Sequence, residues 1–217
     1  MKILKINPDN PEKEKVDAVA DIIKKGGIVV YPTDTVYGLG TDAFNERAVE
    51  KIFQIKGRDF RKPLSVIAKD LKMIENIAVI NEKIQKFLKI ILPGRITLVL
   101  YKKSIVPDIL TGGSSKIGIR IPNYKFTQFL MQRLNFPLVT TSANVSTRPV
   151  SGDIRDVLDQ FKKERDKLDL VVDAGRLPKS QPSTVLDLTF SEPKILRVGP
   201  VKKDELWSIL KKAGLIS

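Results

Sequence analysis

The 217-residue chain contains no cysteine and no histidine. Without cysteine it can form neither a disulfide nor a thiolate metal site, and it has no thiol nucleophile. Without histidine it cannot build a Ser-His-Asp triad, a histidine general base or a zincin-type metal site. Any chemistry must therefore use lysine, arginine, acidic, hydroxyl or amide side chains.

Long hydrophobic runs are also missing. No stretch approaches the roughly 18 apolar residues that span a bilayer, and residues 1–15 contain no apolar segment of the signal-peptide type. We therefore expect a cytoplasmic protein with no membrane partner. Hydrophobic residues make up 42% of the chain and charged residues 29%, which is typical of globular proteins, and a chain of this length can bury the core of one α/β domain.

Acidic residues are scarcer than basic ones. Lysine and arginine number 38 and aspartate and glutamate 25, a net charge of +13, which favours polyanionic partners such as nucleotides or nucleic acids. Aromatic residues are only 6% of the chain, whereas readers of single-stranded nucleic acid stack bases on aromatic rings. A non-enzymatic module that binds double-stranded RNA or tRNA therefore stays open as the alternative to an enzyme.

Hydrophobic periodicity predicts strands alternating with helices in a single α/β domain with a mixed, twisted sheet. Asn10 and Pro11 predict the start of the first helix, and Asn45 predicts the N-cap of the second. The domain is expected to span residues 1–217, with a C-terminal helical extension at 202–217. The predicted strands are 2–6, 28–31, 64–68, 96–101, 116–121, 137–141, 169–174, 184–188 and 194–198, and further helices are predicted at 70–76, 81–91, 125–134, 153–167 and 203–213.

The glycines at 38 and 40 raise the question of a dinucleotide site. Residues 38–43 match the fingerprint G-x-G-x-x-G/A, and Asp59 lies near the position of a ribose-binding acid. In that fingerprint the strand passes directly into the glycines, whereas here residues 32–37 separate them. This context argues against a Rossmann site, and Lys116 lacks the preceding glycine that a Walker A loop requires.

Three other segments are rich in polar side chains: YPTDTVYGLG at 31–40, KGRDFRKPL at 56–64 and TTSAN at 140–144. Taken singly, each is explained by a turn or a solvated loop. The four cations of the second segment repel one another unless an anion neutralises them. The third follows a predicted strand, and open α/β sheets bind ligands at the carboxyl ends of their strands.

Together these segments resemble the YrdC/TsaC family of threonylcarbamoyl-AMP synthases. The resemblance covers roughly residues 1–205 and is to the short, single-domain form. Two positions depart from the family pattern: residues 92–95 are Leu-Pro-Gly-Arg where many members have Trp-Pro-Gly-Pro, and Ile67 stands where some have histidine. The matching blocks, in the family's order, are PTDTVYGLG, K-x-R at 56–58, KPL at 62–64, PG-x-x-T at 93–97, IGIRIP at 117–122, SAN at 142–144, PSTVLDL at 182–188 and RVGP at 197–200.

The resemblance implies a YrdC-like domain with nucleotidyltransferase activity. Such an enzyme forms L-threonylcarbamoyl-AMP and pyrophosphate from L-threonine, bicarbonate or CO2, and ATP, the first step toward threonylcarbamoyladenosine at position 37 of tRNA. Its product passes to a separate tRNA threonylcarbamoyltransferase complex. Mg²⁺ would arrive on the ATP phosphates, with no dedicated protein site. This transfer needs positioning and cations rather than a covalent nucleophile, which suits a chain without histidine or cysteine.

The resemblance also implies which residues form the site. Arg120 is the expected bidentate partner of the threonine carboxylate, although a structural salt bridge is the alternative for this residue. The residues implied as catalytic are Lys56, Arg58, Ser142 and Asn144. The ATP site comprises these four with Lys62, Val150 and Arg197, and the threonine site comprises Thr33, Thr35, Arg120, Thr140 and Ser183.

Overall fold

Ten strands form one mixed sheet in the computed structural model, which describes residues 1–216. The strands are β1 (Lys2–Lys5), β2 (Val29–Tyr31), β3 (Gly38–Gly40), β4 (Ser65–Ile67), β5 (Ile96–Tyr101), β6 (Lys116–Arg120), β7 (Leu138–Ser142), β8 (Leu170–Asp173), β9 (Thr184–Asp187) and β10 (Lys194–Arg197). Their order across the sheet is β1-β8-β2-β3-β7-β4-β6-β5-β9-β10. The predicted fold class, a mixed sheet with flanking helices, is confirmed.

Most of the helices that flank the sheet follow the predicted periodicity, but the short helix at Asp108–Thr111 is not predicted, and the helix predicted at 153–167 is divided after Gln160. They are α1 (Lys13–Lys24), α2 (Glu46–Lys56), α3 (Leu71–Ile77), α4 (Glu82–Ile91), α5 (Asp108–Thr111), α6 (Lys125–Arg133), α7 (Ile154–Gln160) and α8 (Lys203–Lys212), with a 3-10 helix at Lys162–Lys167. Asn45 caps α2 as predicted, because its side-chain oxygen accepts a hydrogen bond from the Ala48 amide at 3.1 Å. That helix ends at Gly57, whose φ of 55° is readily adopted by glycine.

The predicted start of α1 is wrong by two residues. The helix begins at Lys13 after Glu12, rather than at Pro11 after an Asn10 cap. The side-chain oxygen of Asn7 accepts hydrogen bonds from the amides of Asp9 and Asn10. This local turn holds the chain outside the helix as far as residue 10.

Strand β3 is not predicted by the hydrophobic pattern, because its three residues are Gly-Leu-Gly. It pairs antiparallel with β2 and with β7. A Cβ atom on Gly40 would lie 2.3 Å from the Val139 carbonyl oxygen and 2.8 Å from the Tyr31 ring. The glycine is therefore needed for the close approach of neighbouring strands, and not for a dinucleotide turn.

The core lies between the sheet and the buried faces of the helices. Strand β2 is fully buried, as its continuous apolar sequence predicts. Leu206 and Leu210 of α8 are buried, and α8 contacts α4, so the C-terminal helix packs onto the domain. The domain limits stay a prediction, and Ser217 lies outside the described residues. Within residues 1–216, no helix is long and apolar enough to cross a membrane.

Candidate active site

A cavity of about 220 Å³ opens where the polar segments of the sequence meet. Most of the side chains implied by the resemblance line it, although they come from positions up to 164 residues apart (197 − 33). Strands β4, β5, β6 and β7 are neighbours in the sheet, and small polar residues of β4, β5 and β7 form the floor of the cavity, to which β6 contributes Arg120. The predicted residues found in its lining are Thr33, Thr35, Arg58, Arg120, Thr140, Ser142, Val150, Ser183 and Arg197.

Arg120 forms an ion pair with Asp34 at one wall of this cavity. Its Nη2 atom donates to the Asp34 carboxylate, and the side chains are only 6% and 3% exposed. Within residues 1–216, neither the Nε atom of Arg120 nor the second carboxylate oxygen of Asp34 has a hydrogen-bond partner. The predicted salt-bridge alternative for Arg120 therefore exists, and the guanidinium still retains donors beyond it.

Arg197 holds a second wall through Ser183. Its Nε atom donates to the Ser183 carbonyl oxygen at 2.9 Å, and its Nη2 atom donates to the Ser183 hydroxyl at 3.2 Å. That hydroxyl also contacts the Thr97 hydroxyl at 2.8 Å. Burial, and then the nearby charge of Arg120, lower the pKa of Arg197, although a guanidinium stays protonated at any working pH.

Lys56 lies behind the cavity wall and holds the loop that follows β7. Its ammonium group donates to the carbonyl oxygen of Ser142, to the carbonyl oxygen of Asn144 at 2.7 Å and to the Asn144 side-chain oxygen at 3.2 Å. The Asn144 amide nitrogen donates to the carbonyl oxygens of Val145 and Arg148. Lys56 and Asn144 thus fix the backbone from which Ser142 faces the cavity.

Burial has a strong effect on Lys56. It lowers the pKa of the ammonium group to about 7, with repulsion from Arg58 as the second cause. Arg58 itself reaches the cavity, and its Nε and Nη2 atoms donate to the carbonyl oxygens of Lys62 and Pro63. Three arginines therefore face one small cavity, and this concentration of positive charge suits anionic ligands.

Three predicted ligand contacts do not line the cavity. Lys62 is exposed. The polar atoms of Lys56 and Asn144 form hydrogen bonds within the loop that follows β7 and do not line the cavity. Direct contact of these three with a nucleotide stays a prediction. Ile67 lines a different, apolar cavity of about 460 Å³.

The other departure from the family pattern, at residues 92–95, lies beside the site. The Gly94 amide donates to the Ile121 carbonyl oxygen, and the Arg95 carbonyl oxygen accepts from the Thr184 amide. These two backbone hydrogen bonds join the segment to the end of β6 and to the start of β9. The segment therefore helps to position Arg120 and Ser183, which lie next to those two ends.

Some lining residues are missed by reasoning from the sequence. Ser65, Thr97 and Tyr37 face the cavity, and Asp34 pairs with Arg120 just behind it. Each lies within or directly beside a matching motif, KPL, PG-x-x-T or PTDTVY, and the only available signal is that proximity. Strand register decides which residues of a motif face a ligand. A single sequence does not show that register.

The fold and the cavity define an α/β protein with a small pocket lined by three arginines and several hydroxyl groups. The sequence profile of the Sua5/YciO/YrdC family, described as "Telomere recombination", matches residues 21–199. The chain belongs to this family.

Relatives and solved structures cover almost the whole chain. A Methanocaldococcus jannaschii protein provisionally named threonylcarbamoyl-AMP synthase is 38% identical in an alignment 209 residues long, which covers 93% of this chain and 96% of that protein. The threonylcarbamoyl-AMP synthase of Pyrococcus abyssi is 34% identical. The match covers 92% of this chain but only 58% of that longer relative. The crystal structure of P. abyssi Sua5 complexed with L-threonine superposes with a TM-score of 0.90 at 32% identity and covers 96% of this chain and 61% of that one.

Proposed function

We propose that this protein is a threonylcarbamoyl-AMP synthase, an enzyme that makes L-threonylcarbamoyl-AMP from L-threonine, bicarbonate or CO2, and ATP. The observation that supports this most directly is the convergence of Arg58, Arg120 and Arg197 on one cavity with a hydroxyl-rich floor. ATP carries a triphosphate, threonine carries a carboxylate, and bicarbonate is itself an anion. Each of these negative groups needs a cation or a hydrogen-bond donor. The names of the M. jannaschii and P. abyssi relatives support the same assignment.

In the reaction, the threonine amine nitrogen bonds to the carbon of bicarbonate, and water leaves to give a carbamate. A carbamate oxygen then bonds to the α-phosphorus of ATP, the bond from that phosphorus to the β-bridging oxygen breaks, and pyrophosphate departs. Neither step needs a covalent enzyme intermediate. The protein must orient three anions and stabilise the charge that develops on the phosphates.

We divide the residues between the substrates according to their places in the family motifs. Arg58 and Ser142 face the cavity near the loop that Lys56 holds, and we assign them to the ATP phosphates, with Arg197 and Val150 also on the nucleotide. Arg120 is assigned to the threonine carboxylate. The side chains assigned to the rest of threonine are Thr33, Thr35, Thr140 and Ser183, and the L-threonine complex of the P. abyssi relative supports this substrate.

The proposed reaction also involves a metal ion and a partner that consumes the product. Among residues 1–216, no group of three acidic side chains could hold a metal ion. We therefore propose that Mg²⁺ enters as part of the ATP complex, where it neutralises phosphate charge. We also propose that the protein acts in the cytoplasm and that a separate tRNA threonylcarbamoyltransferase complex consumes the adenylate.

Pyrophosphate release from ATP tests this function. The purified protein should release pyrophosphate only when threonine and bicarbonate are both present, and a CO2-depleted buffer should abolish the signal. The alternative, a non-enzymatic RNA module, predicts no threonine-dependent release. If RNA binds tightly while ATP is not consumed under any condition, the synthase assignment is wrong.

A further inference from the structure

Ser65 lies in the middle of the cavity floor, at a position that neither substrate assignment uses. In the sheet register it pairs with Thr140 of β7 on one side and with Gly118 of β6 on the other. A Cβ atom on Gly118 would lie 2.6 Å from the Ser65 hydroxyl oxygen and 3.3 Å from the Thr97 methyl carbon. Gly118 therefore leaves the space in which the Ser65 hydroxyl stands.

The Ser65 hydroxyl differs from its neighbours in its hydrogen bonds. The Thr97 and Ser183 hydroxyls contact each other, and the Ser142 hydroxyl donates to the Asn144 side-chain oxygen at 2.6 Å. The Ser65 hydroxyl lines the cavity and has no hydrogen bond to any residue in the range 1–216. Its proton and both lone pairs are thus available to a ligand.

The position of Ser65 indicates which ligand its hydroxyl contacts. Its cross-strand neighbour Thr140 is assigned to threonine, whereas Arg58, assigned to the phosphates, donates to the carbonyl oxygen of Pro63 two residues before Ser65. Ser65 therefore lies between residues assigned to the two substrates. The atoms that must occupy that position in the proposed reaction are those of the bicarbonate, because its carbon joins the threonine nitrogen and its oxygen joins the α-phosphorus.

We propose that the Ser65 hydroxyl donates a hydrogen bond to bicarbonate and to the carbamate formed from it, and that Gly118 keeps this hydroxyl in place. The proposal rests on the proposed function. Hydrogen bonds from a neutral hydroxyl to an anionic oxygen are short and strong. Ser65 thus becomes a binding residue for the third substrate, for which the sequence motifs supply none.

Saturation kinetics on a double-mutant cycle test the proposal. Pyrophosphate release is measured against total bicarbonate at fixed pH, with ATP and threonine saturating, for wild type, Ser65→Ala, Gly118→Ala and the double variant. Ser65→Ala should raise the half-saturating bicarbonate concentration about tenfold, with the KM values for ATP and threonine within twofold of wild type. Gly118→Ala should cause a similar rise alone and little further rise in the Ser65→Ala background, because both remove the same hydroxyl contact.

Each contrary result has a definite meaning. An unchanged bicarbonate dependence in Ser65→Ala, or a rise in the KM for threonine or ATP instead, overturns the proposal while leaving the synthase function intact. Wild-type turnover that ignores bicarbonate overturns the proposed function itself. If Gly118→Ala does not fold, as judged by circular dichroism, Ser65→Ala decides alone, since it only shortens a side chain.

Discussion

At the scale of single residues, Arg58 is a cation that faces the cavity and is partly withdrawn from water. Burial lowers its pKa, and the cost of that burial is offset when an anionic ligand pairs with it. Arg58→Ala should lower threonine-dependent pyrophosphate release on the order of 10²-fold, as removal of one preorganised donor does elsewhere. Single-turnover release, with circular dichroism to confirm folding, measures this.

The same loop offers a matched control. Arg61 is three residues away, its side chain is 88% exposed, and it pairs with the neighbouring Asp59. Arg61→Ala should leave release within about twofold of wild type, because an exposed ion pair contributes little. Equal losses in the two variants would show that general loop charge matters, rather than the position of Arg58.

Lys56 allows a prediction that does not depend on activity. The pKa of its ammonium group should be about 7, well below the ordinary lysine value of 10.5. Between those values the unfolded chain binds more protons than the folded chain, so the contribution of Lys56 to the free energy of unfolding rises with pH over that range. A ¹⁵N NMR titration of the lysine side chains measures the pKa directly.

A variant separates the two causes of that pKa shift. Arg58→Gln removes the repulsion, which is the second cause, and leaves the burial, which is the first. The pKa of Lys56 should therefore rise in this variant but stay below that of exposed lysines. A wild-type Lys56 that titrates with the other lysines would show that the three loop hydrogen bonds outweigh burial.

At the scale of secondary-structure elements, the short strand β3 determines how closely β2 and β7 approach. Gly40→Ala should lower the free energy of unfolding by about 3 kcal/mol, because its Cβ would overlap the Val139 carbonyl oxygen and the Tyr31 ring. Chemical denaturation followed by circular dichroism measures the change.

The Gly57→Ala variant provides a control for Gly40→Ala. It has a φ of 55°, and a Cβ atom added there would have no neighbouring atom within 4 Å. Gly57→Ala should therefore cost only the strain of a left-handed backbone, about 1 kcal/mol. If Gly40→Ala proves no more destabilising than Gly57→Ala, the strands adjust at little cost and β3 does not set their spacing.

At the scale of the whole molecule, the net charge of +13 attracts any polyanion, and the cavity selects among them. Arg58 lies in the cavity, so Arg58→Ala should lower ATP turnover on the order of 10²-fold and leave RNA affinity within about twofold across a salt series. The slope of log affinity against log salt falls by roughly one unit for each lost phosphate contact. A slope reduced by that amount in Arg58→Ala would place RNA at the cavity itself.

The amino-acid sequence by itself determined most of the element pattern, the absence of thiol and imidazole chemistry, and the family. Alternating apolar residues and local signals such as the Asn45 cap act over a few residues, so they can be found without the fold. Tertiary structure alone decided which polar side chains face the cavity. Lys56 and Arg58 are two residues apart, yet one holds a loop and the other lines the site. Ser65, Thr97 and the strand β3 became visible only through the pairing of strands distant in sequence, because register and close backbone approach are set by the whole sheet.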